Sequence, residues 1–309
     1  MNNPNFFVLG AAKCATTSLY MYLDNHPQIY MSPVKEPNFF ACENQQLDYQ
    51  GLGYEKNIKS QTITDYSSYL SLFQSVRQEK AIGEASWSSL YYPQASKRIK
   101  HYFPDAKFIV ILRNPIERAF SHHQYLLQHH RENIKSFSQA IALENERIQQ
   151  KYWADWHYIK LGFYSNQLKK YFSIFEREQF KIIYFERFKS NRIATLKEIF
   201  DFLNVDNIAI EDSKLVQKKH NQTMLPRISF VNSFIERANY NGRLQYILKK
   251  TIPKQWHNTL KKQGDRIYNL NLYKPVLSKA MRQHLKEIYL NEIQALENLL
   301  GSSLEHWKQ

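Results

Sequence analysis

The sequence predicts an α/β fold. It reads as a single domain over residues 1–309, with a central, mainly parallel sheet, flanking helices, a P-loop-like phosphate site and a helical C-terminal portion. Three observations carry this. Apolar runs of strand length alternate with stretches of helical spacing. Residues 107–112 (KFIVIL) are continuously apolar and rich in β-branched side chains, the pattern of a parallel strand covered on both faces. Residues 5–9 (NFFVL) run into Gly10 and helical spacing begins at Thr17, giving strand, tight loop and helix at the outset.

The other elements follow in order. The first helix stops before His26-Pro27, and residues 29–31 make a short second strand. Residues 44–64 are polar and irregular, a loop. Residues 66–73 have helical spacing, 81–84 form a brief strand, and 92–103 form a helix closed by Pro104. After Arg113-Asn114-Pro115, helices are predicted over 116–130, 137–151 and 162–175. A strand follows at 180–184 (FKIIY), then an amphipathic helix over 193–203. Residues 211–227 are polar and loop-like, and 232–248 and 277–300 read as helices. No internal repeat or low-complexity tract interrupts the pattern.

Composition narrows the function. Aromatic residues make up 15% of the chain, enough to build a large core, which excludes a disordered chain. Cys14 and Cys42 are the two cysteines, which excludes a disulfide scaffold. The first residues have no basic leader with a long apolar stretch behind it, and no window approaches the roughly 18 apolar residues of a membrane span. A cytoplasmic protein without an integral span, with reduced thiols, is expected. Lys and Arg number 42 against 28 Asp and Glu, leaving a net charge of +14. That surplus suits an anionic partner: nucleic acid, acidic polysaccharide, a membrane surface or a phosphorylated small molecule. A solvated basic surface explains it equally well. No nucleic-acid motif or interleaving of aromatic and basic residues is present, so nucleic acid is not expected.

Two local patterns are more informative. Between the first strand and helix lies Gly10-Ala11-Ala12-Lys13-Cys14-Ala15-Thr16-Thr17-Ser18. A helix N-terminus offers unpaired N–H groups and a positive dipole end, and small residues let an anion come close. Lys13 and the hydroxyls of Thr16, Thr17 and Ser18 add donors, making a phosphate cradle. An equally plain reading is a helix capped by Thr and Ser. Against the G-x-x-x-x-G-K-[ST] loop of nucleoside triphosphatases, the lysine comes three residues early. The strand KFIVIL also ends in Arg113 rather than a magnesium-binding Asp, which weighs against a kinase or ATPase. The second pattern is Arg113-Asn114-Pro115 through Ser121. Arg113 stands at the carboxyl end of a parallel strand, where α/β sheets bind ligands, and can fork to a phosphate. Ser121 lies about two turns beyond Pro115 and reaches the same side. Two anion sites at neighbouring strand ends point to a ligand with two separated phosphate-like groups.

These residues resemble the sulfotransferase superfamily that uses 3′-phosphoadenosine 5′-phosphosulfate (PAPS). Residues 6–18 (FFVLGAAKCATTS) are similar to its 5′-phosphosulfate loop and 108–121 (FIVILRNPIERAFS) to its 3′-phosphate segment. The likeness continues through Lys35-Glu36-Pro37-Asn38-Phe39-Phe40, Gly83-Glu84-Ala85-Ser86, residues 162–168 and the closing LENLLGSSLEHW, thinning over 228–275.

The resemblance implies transfer of a sulfuryl group from PAPS to a hydroxyl or amine, with adenosine 3′,5′-bisphosphate (PAP) as product and no metal. His101, His129 and His130 show no ligand spacing either. It implies that Ala12, Lys13, Cys14, Ala15, Thr16, Thr17 and Ser18 hold the 5′-phosphate, with Lys13 countering charge on the leaving group. Arg113, Ser121 and a late basic loop with Lys218, Lys219 and Arg227 would hold the 3′-phosphate. In the glycosaminoglycan branch a Glu after the first helix is the base, and Glu36 occupies that position. Asn38 stands where that branch often has His, and Ala85 where it often has Lys after the Glu. His122 or His123, matching the His base of the small-molecule branch, and Glu84 are alternative bases. Lys35, Ser86, Tyr125, His157, Tyr158 and Tyr164 are expected around the acceptor. The R-x-G-x-x-G-D-W-K-N pattern of the small-molecule enzymes is missing. That favours a glycan or lipid-linked sugar acceptor, with a small hydroxylated metabolite as the alternative. A nucleotide kinase and a non-catalytic binder of anionic polymer remain the rival classes.

Overall fold

The structure is a computed structural model describing residues 3–207, 225–226, 259, 262–263, 265–268 and 270–308. Five strands form one sheet: β1 (Phe6–Gly10), β2 (Ile29–Met31), β3 (Ala81–Ala85), β4 (Lys107–Leu112) and β5 (Phe180–Tyr184). All pairings are parallel and the order is β2-β3-β1-β4-β5. The alternation of apolar runs with helical spacing dictates this arrangement, because parallel strands need crossover connections. β1 is buried along its whole length, and only Lys107 of β4 is part-exposed.

The order places the ligand crevice. From β1 the chain crosses to β2 and β3 on one side; from β4 it crosses to β5 on the other. The loops leaving the carboxyl ends of β1 and β4 therefore diverge, and a cleft opens between them. Gly10 turns the chain out of β1 at a φ of 132°, a conformation side chains rarely adopt, with Trp87 3.4 Å from where a Cβ would stand.

The main helices are α1 (Thr16–Asp24), α2 (Gln94–Tyr102), α3 (Pro115–Gln128), α4 (Tyr164–Phe172), α5 (Arg192–Leu203) and α6 (Lys279–Leu300). Each matches a predicted helix within a few residues. The run predicted over 137–151 is instead two helices, Phe137–Ala142 and Glu144–Gln149. Behind this break the buried Glu144 accepts from the N–H groups of Ile159 and Lys160, at 2.6 and 2.8 Å. The loop predicted over 44–64 contains a short helix, Tyr54–Asn57, and a 3-10 turn, Lys59–Gln61. β6 (Leu225–Pro226) and β7 (Leu272–Tyr273) form a small antiparallel pair. The helix expected over 232–248 and the basic loop with Lys218, Lys219 and Arg227 lie outside the described residues.

α6 closes the structure over α4. Its Leu285, Tyr289, Ile293 and Leu296 are buried, and Glu292 accepts from both the N–H and the hydroxyl of Ser165. Tyr289 lies so close to Gly162 that a Cβ there would be 2.6 Å from its hydroxyl. Beyond α6, the Trp307 carbonyl accepts from Asn114 Nδ2 at 3.2 Å, tying the end of the described chain to the loop after β4.

Candidate active site at the strand ends

A cavity of about 850 Å³ occupies the crevice. Its first wall is the loop after β1. Lys13 and Ala15 both adopt left-handed conformations, at φ 64° and 66°, and α1 begins at Thr16. Ala15 is the N-cap and has no side chain able to cap; no side-chain bond closes the helix start. The alternative reading, a Thr–Ser cap, is therefore not what the structure forms, and no side chain caps the first-turn N–H groups, an arrangement open to an anion. Thr16, Thr17 and Ser18 all line the cavity. Cys14 is buried beneath, its thiol pushed up to about 11 by burial, so it stays protonated and structural.

The second wall comes from β4 and α3. Asn114 caps α3 by accepting from Ile116 N at 2.9 Å, and Pro115 opens the helix. Arg113 is held from three sides. Its Nη1 donates to the Lys13 carbonyl at 3.3 Å, its guanidinium lies 4.7 Å from the Phe185 ring centre, and its carbonyl accepts from Tyr164 Oη at 3.0 Å. α3 presents Ser121, His122, Tyr125 and Gln128 to the cavity, an i, i+1, i+4, i+7 stripe of one helix face that His129, just past its end, continues.

Lys13 sits where the walls meet. Its Nζ is 3.4 Å from the Tyr125 ring centre, a cation–π contact. Burial lowers its pKa to about 8, opposed by the charges of Glu36 and Asp155. Glu36 follows β2 in a left-handed conformation and is ion-paired with Lys35. Its N–H donates to the Ala85 carbonyl at 3.0 Å, so the end of β3 positions the Glu36 turn. Asn38 is held by Ser88 Oγ on its Oδ1 (2.6 Å) and bonds Thr62 through its Nδ2 (3.2 Å). Ser86 Oγ accepts from Asn38 N and donates to Glu84 Oε2 at 2.8 Å. Glu84 is buried, and burial raises its pKa to about 7.

His122 is buried, and burial lowers its pKa to about 4, so it is neutral at pH 7. Arg118 Nη1 lies 3.4 Å from its Nδ1, which places the ring proton on Nε2, 3.4 Å from Asp155 Oδ1. The other Asp155 oxygen is paired with Arg131. Both ring nitrogens of His122 are thus occupied by neighbours.

Of the residues singled out in the sequence, the structure gathers Ala12, Lys13, Ala15, Thr16, Thr17, Ser18, Glu36, Arg113, Ser121, His122 and Tyr125 around one cavity. Cys14, Lys35, Glu84 and Ser86 stand behind its lining. His157, Tyr158 and Tyr164, expected at the acceptor cleft, are buried elsewhere. The His157 Nδ1 pairs with Tyr91 Oη, Tyr158 donates to Glu132 Oε2, and Tyr164 supports Arg113. Sequence reasoning missed Asn57, Gln61, Trp87, Arg131, Trp153 and Asp155. Trp87 directly follows the Gly83–Ser86 motif, which was a usable signal; the others come from loops and single helical turns without a local sequence pattern.

Comparison with known proteins assigns the chain to a family. The family model described as "Sulfotransferase family" matches residues 4–209. The chain belongs to the sulfotransferase family. It is 25% identical over 258 residues to human carbohydrate sulfotransferase 15, an alignment covering 70% of this chain and 46% of that one. It is 27% identical over 209 residues to mouse bifunctional heparan sulfate N-deacetylase/N-sulfotransferase 4, covering 65% and 22%. This sulfotransferase chain thus spans less than half the length of these curated relatives. The crystal structure of a sulfotransferase from Alicyclobacillus acidocaldarius superposes with a TM-score of 0.76 at 31% identity, covering 100% of both chains. Among the described residues, no helix is long and apolar enough to cross a membrane.

Proposed function

We propose that the chain is a single catalytic domain, residues 1–309, that transfers the sulfuryl group of PAPS to an acceptor hydroxyl or amine. The observation that carries this is the meeting of Lys13 and Glu36 in one cavity with an uncapped helix N-terminus and a braced arginine. Lys13 and Arg113, carried by the loops after β1 and β4 and lining one cavity, suit a donor with a 5′-phosphosulfate and a 3′-phosphate, the feature that distinguishes PAPS from ATP. The first-turn N–H groups of α1 and the hydroxyls of Thr16, Thr17 and Ser18 take the 5′-phosphate; Arg113 and Ser121 take the 3′-phosphate.

Glu36 removes the acceptor proton as the acceptor oxygen or nitrogen attacks sulfur. The bond from sulfur to the 5′-phosphate oxygen breaks in line, and the negative charge left on that phosphate meets the Lys13 ammonium and the α1 dipole. Glu36 suits the base better than His122, whose ring nitrogens face Arg118 and Asp155, or Glu84, which lies behind the lining. A glycan or lipid-linked sugar acceptor accords with the carbohydrate sulfotransferases among the relatives; a small hydroxylated metabolite is the alternative.

The test is isothermal titration with PAP in EDTA, with ADP as control. The expected result is saturable binding of PAP and none of ADP. Binding of neither, or of ADP alone once magnesium is restored, overturns the reading.

A further inference from the structure

The cavity wall changes chemistry away from the donor loops. Its two cations at the donor end are Lys13 and Arg113. The segment following β2 contributes Glu36 and the carboxamides of Asn57 and Gln61, and the loop before α4 contributes Asp155. The third cation, Arg131, is bonded to Asp155, and its carbonyl accepts from Trp156 Nε1 at 3.1 Å. Lys35 is paired with Glu36 and does not line the cavity. Among the described residues, then, every lining cation outside the donor loops is already neutralised by a carboxylate.

That wall suits one acceptor chemistry. A carboxamide offers both a donor and an acceptor, as a hydroxyl does; a carboxylate or sulfate accepts only and calls for Arg or Lys. Because Glu36 is paired with Lys35 and Asp155 with Arg131, this wall has no free cation to offset an acidic acceptor's charge in a partly buried site where water compensates weakly. Building on the sulfotransferase reading, we propose that the acceptor is an uncharged polyhydroxylated molecule, a neutral sugar ring rather than a uronate or a sulfated one. Gln61, and Asn57 through the part of its carboxamide not given to the Gly53 carbonyl, select it through its hydroxyls. The net charge of +14 then serves the donor rather than steering an acidic glycan.

The test uses the full chain loaded with PAP and saturation-transfer NMR. The probes are methyl hexosides of gluco, galacto and manno configuration, each against its matched methyl hexuronide. At least one neutral hexoside is expected to bind at least tenfold more tightly than its uronide, and Gln61→Lys to shrink that ratio at least fivefold. An octyl hexoside arm separates sources: tenfold tighter binding than the methyl form identifies a lipid-linked sugar, equal binding a free one. Uronides binding as tightly as hexosides, or no hexoside binding at all, overturns the proposal. Failure of PAP to load the protein overturns the sulfotransferase reading itself, so the two failures are distinguishable.

Discussion

Raising the pH should switch off donor binding through Lys13. Burial brings this lysine to about 8 in the free protein, while a bound 5′-phosphate would stabilise its charged form. Below that value the ammonium is ready to meet the anion; above it, binding must first take up a proton. With a pKa of about 8, roughly 90% of Lys13 is charged at pH 7 and roughly 3% at pH 9.5. The dissociation constant for PAP should therefore rise about 30-fold between those pH values. Above pH 7 both phosphates of PAP are already largely ionised, so the ligand contributes little to the trend. Titration calorimetry at several pH values measures it, and repeating it in buffers of different ionisation enthalpy counts the proton taken up. Lys13→Arg is the control: a guanidinium stays charged throughout, so its curve should be flat. A flat wild-type curve, or an equally steep one in Lys13→Arg, would show that Lys13 does not meet the donor.

Arg113→Ala should weaken PAP by roughly 30- to 100-fold, the loss of a charge-assisted fork, measured by the same titration. Adenosine 5′-phosphosulfate, which lacks the 3′-phosphate, should change by less than about threefold in that variant. Glu132→Ala should cost roughly 3–5 kcal/mol in urea unfolding, because it strands Arg147, held by Glu132 at 2.7 and 3.1 Å, in a buried site. Gly83→Ala should lower the melting temperature through a loss of about 1–3 kcal/mol, since its Cβ would stand 2.4 Å from the Phe6 ring.

β4 was legible because burial on both faces writes itself as the apolar run FIVIL after Lys107; β5, a part-buried edge strand, was legible from the short apolar, β-branched run FKIIY despite its lysine. The donor end was legible for a related reason. Lys13, Thr16–Ser18 and Arg113 sit where strands end, so chain position alone locates them. The opposite wall obeys no such rule. Asp155 and Arg131 are 24 positions apart, with two short helices between them, and their pairing is decided by packing rather than by spacing. Asn57 and Gln61 come from a stretch whose polarity reads as loop, yet a turn of helix and a 3-10 turn hold them against the cavity. Tyr158 and Tyr164, expected around the acceptor, are instead buried, with their hydroxyls donating to Glu132 and to the Arg113 carbonyl respectively.

The bond from Asn114 to the Trp307 carbonyl has a consequence for synthesis in the cell. The loop that carries Arg113 is braced by a residue made 193 positions later. At about 5–20 residues per second, that interval is roughly 10–40 s of translation. At its start β1 to β4 and the loop after β1 already exist and β5 is added during it, but the Arg113 end of the crevice lacks its last support. A nascent chain stalled before residue 307 should bind PAP more weakly than the released protein. The capacity to hold the donor would thus be acquired late, after most of the core has formed.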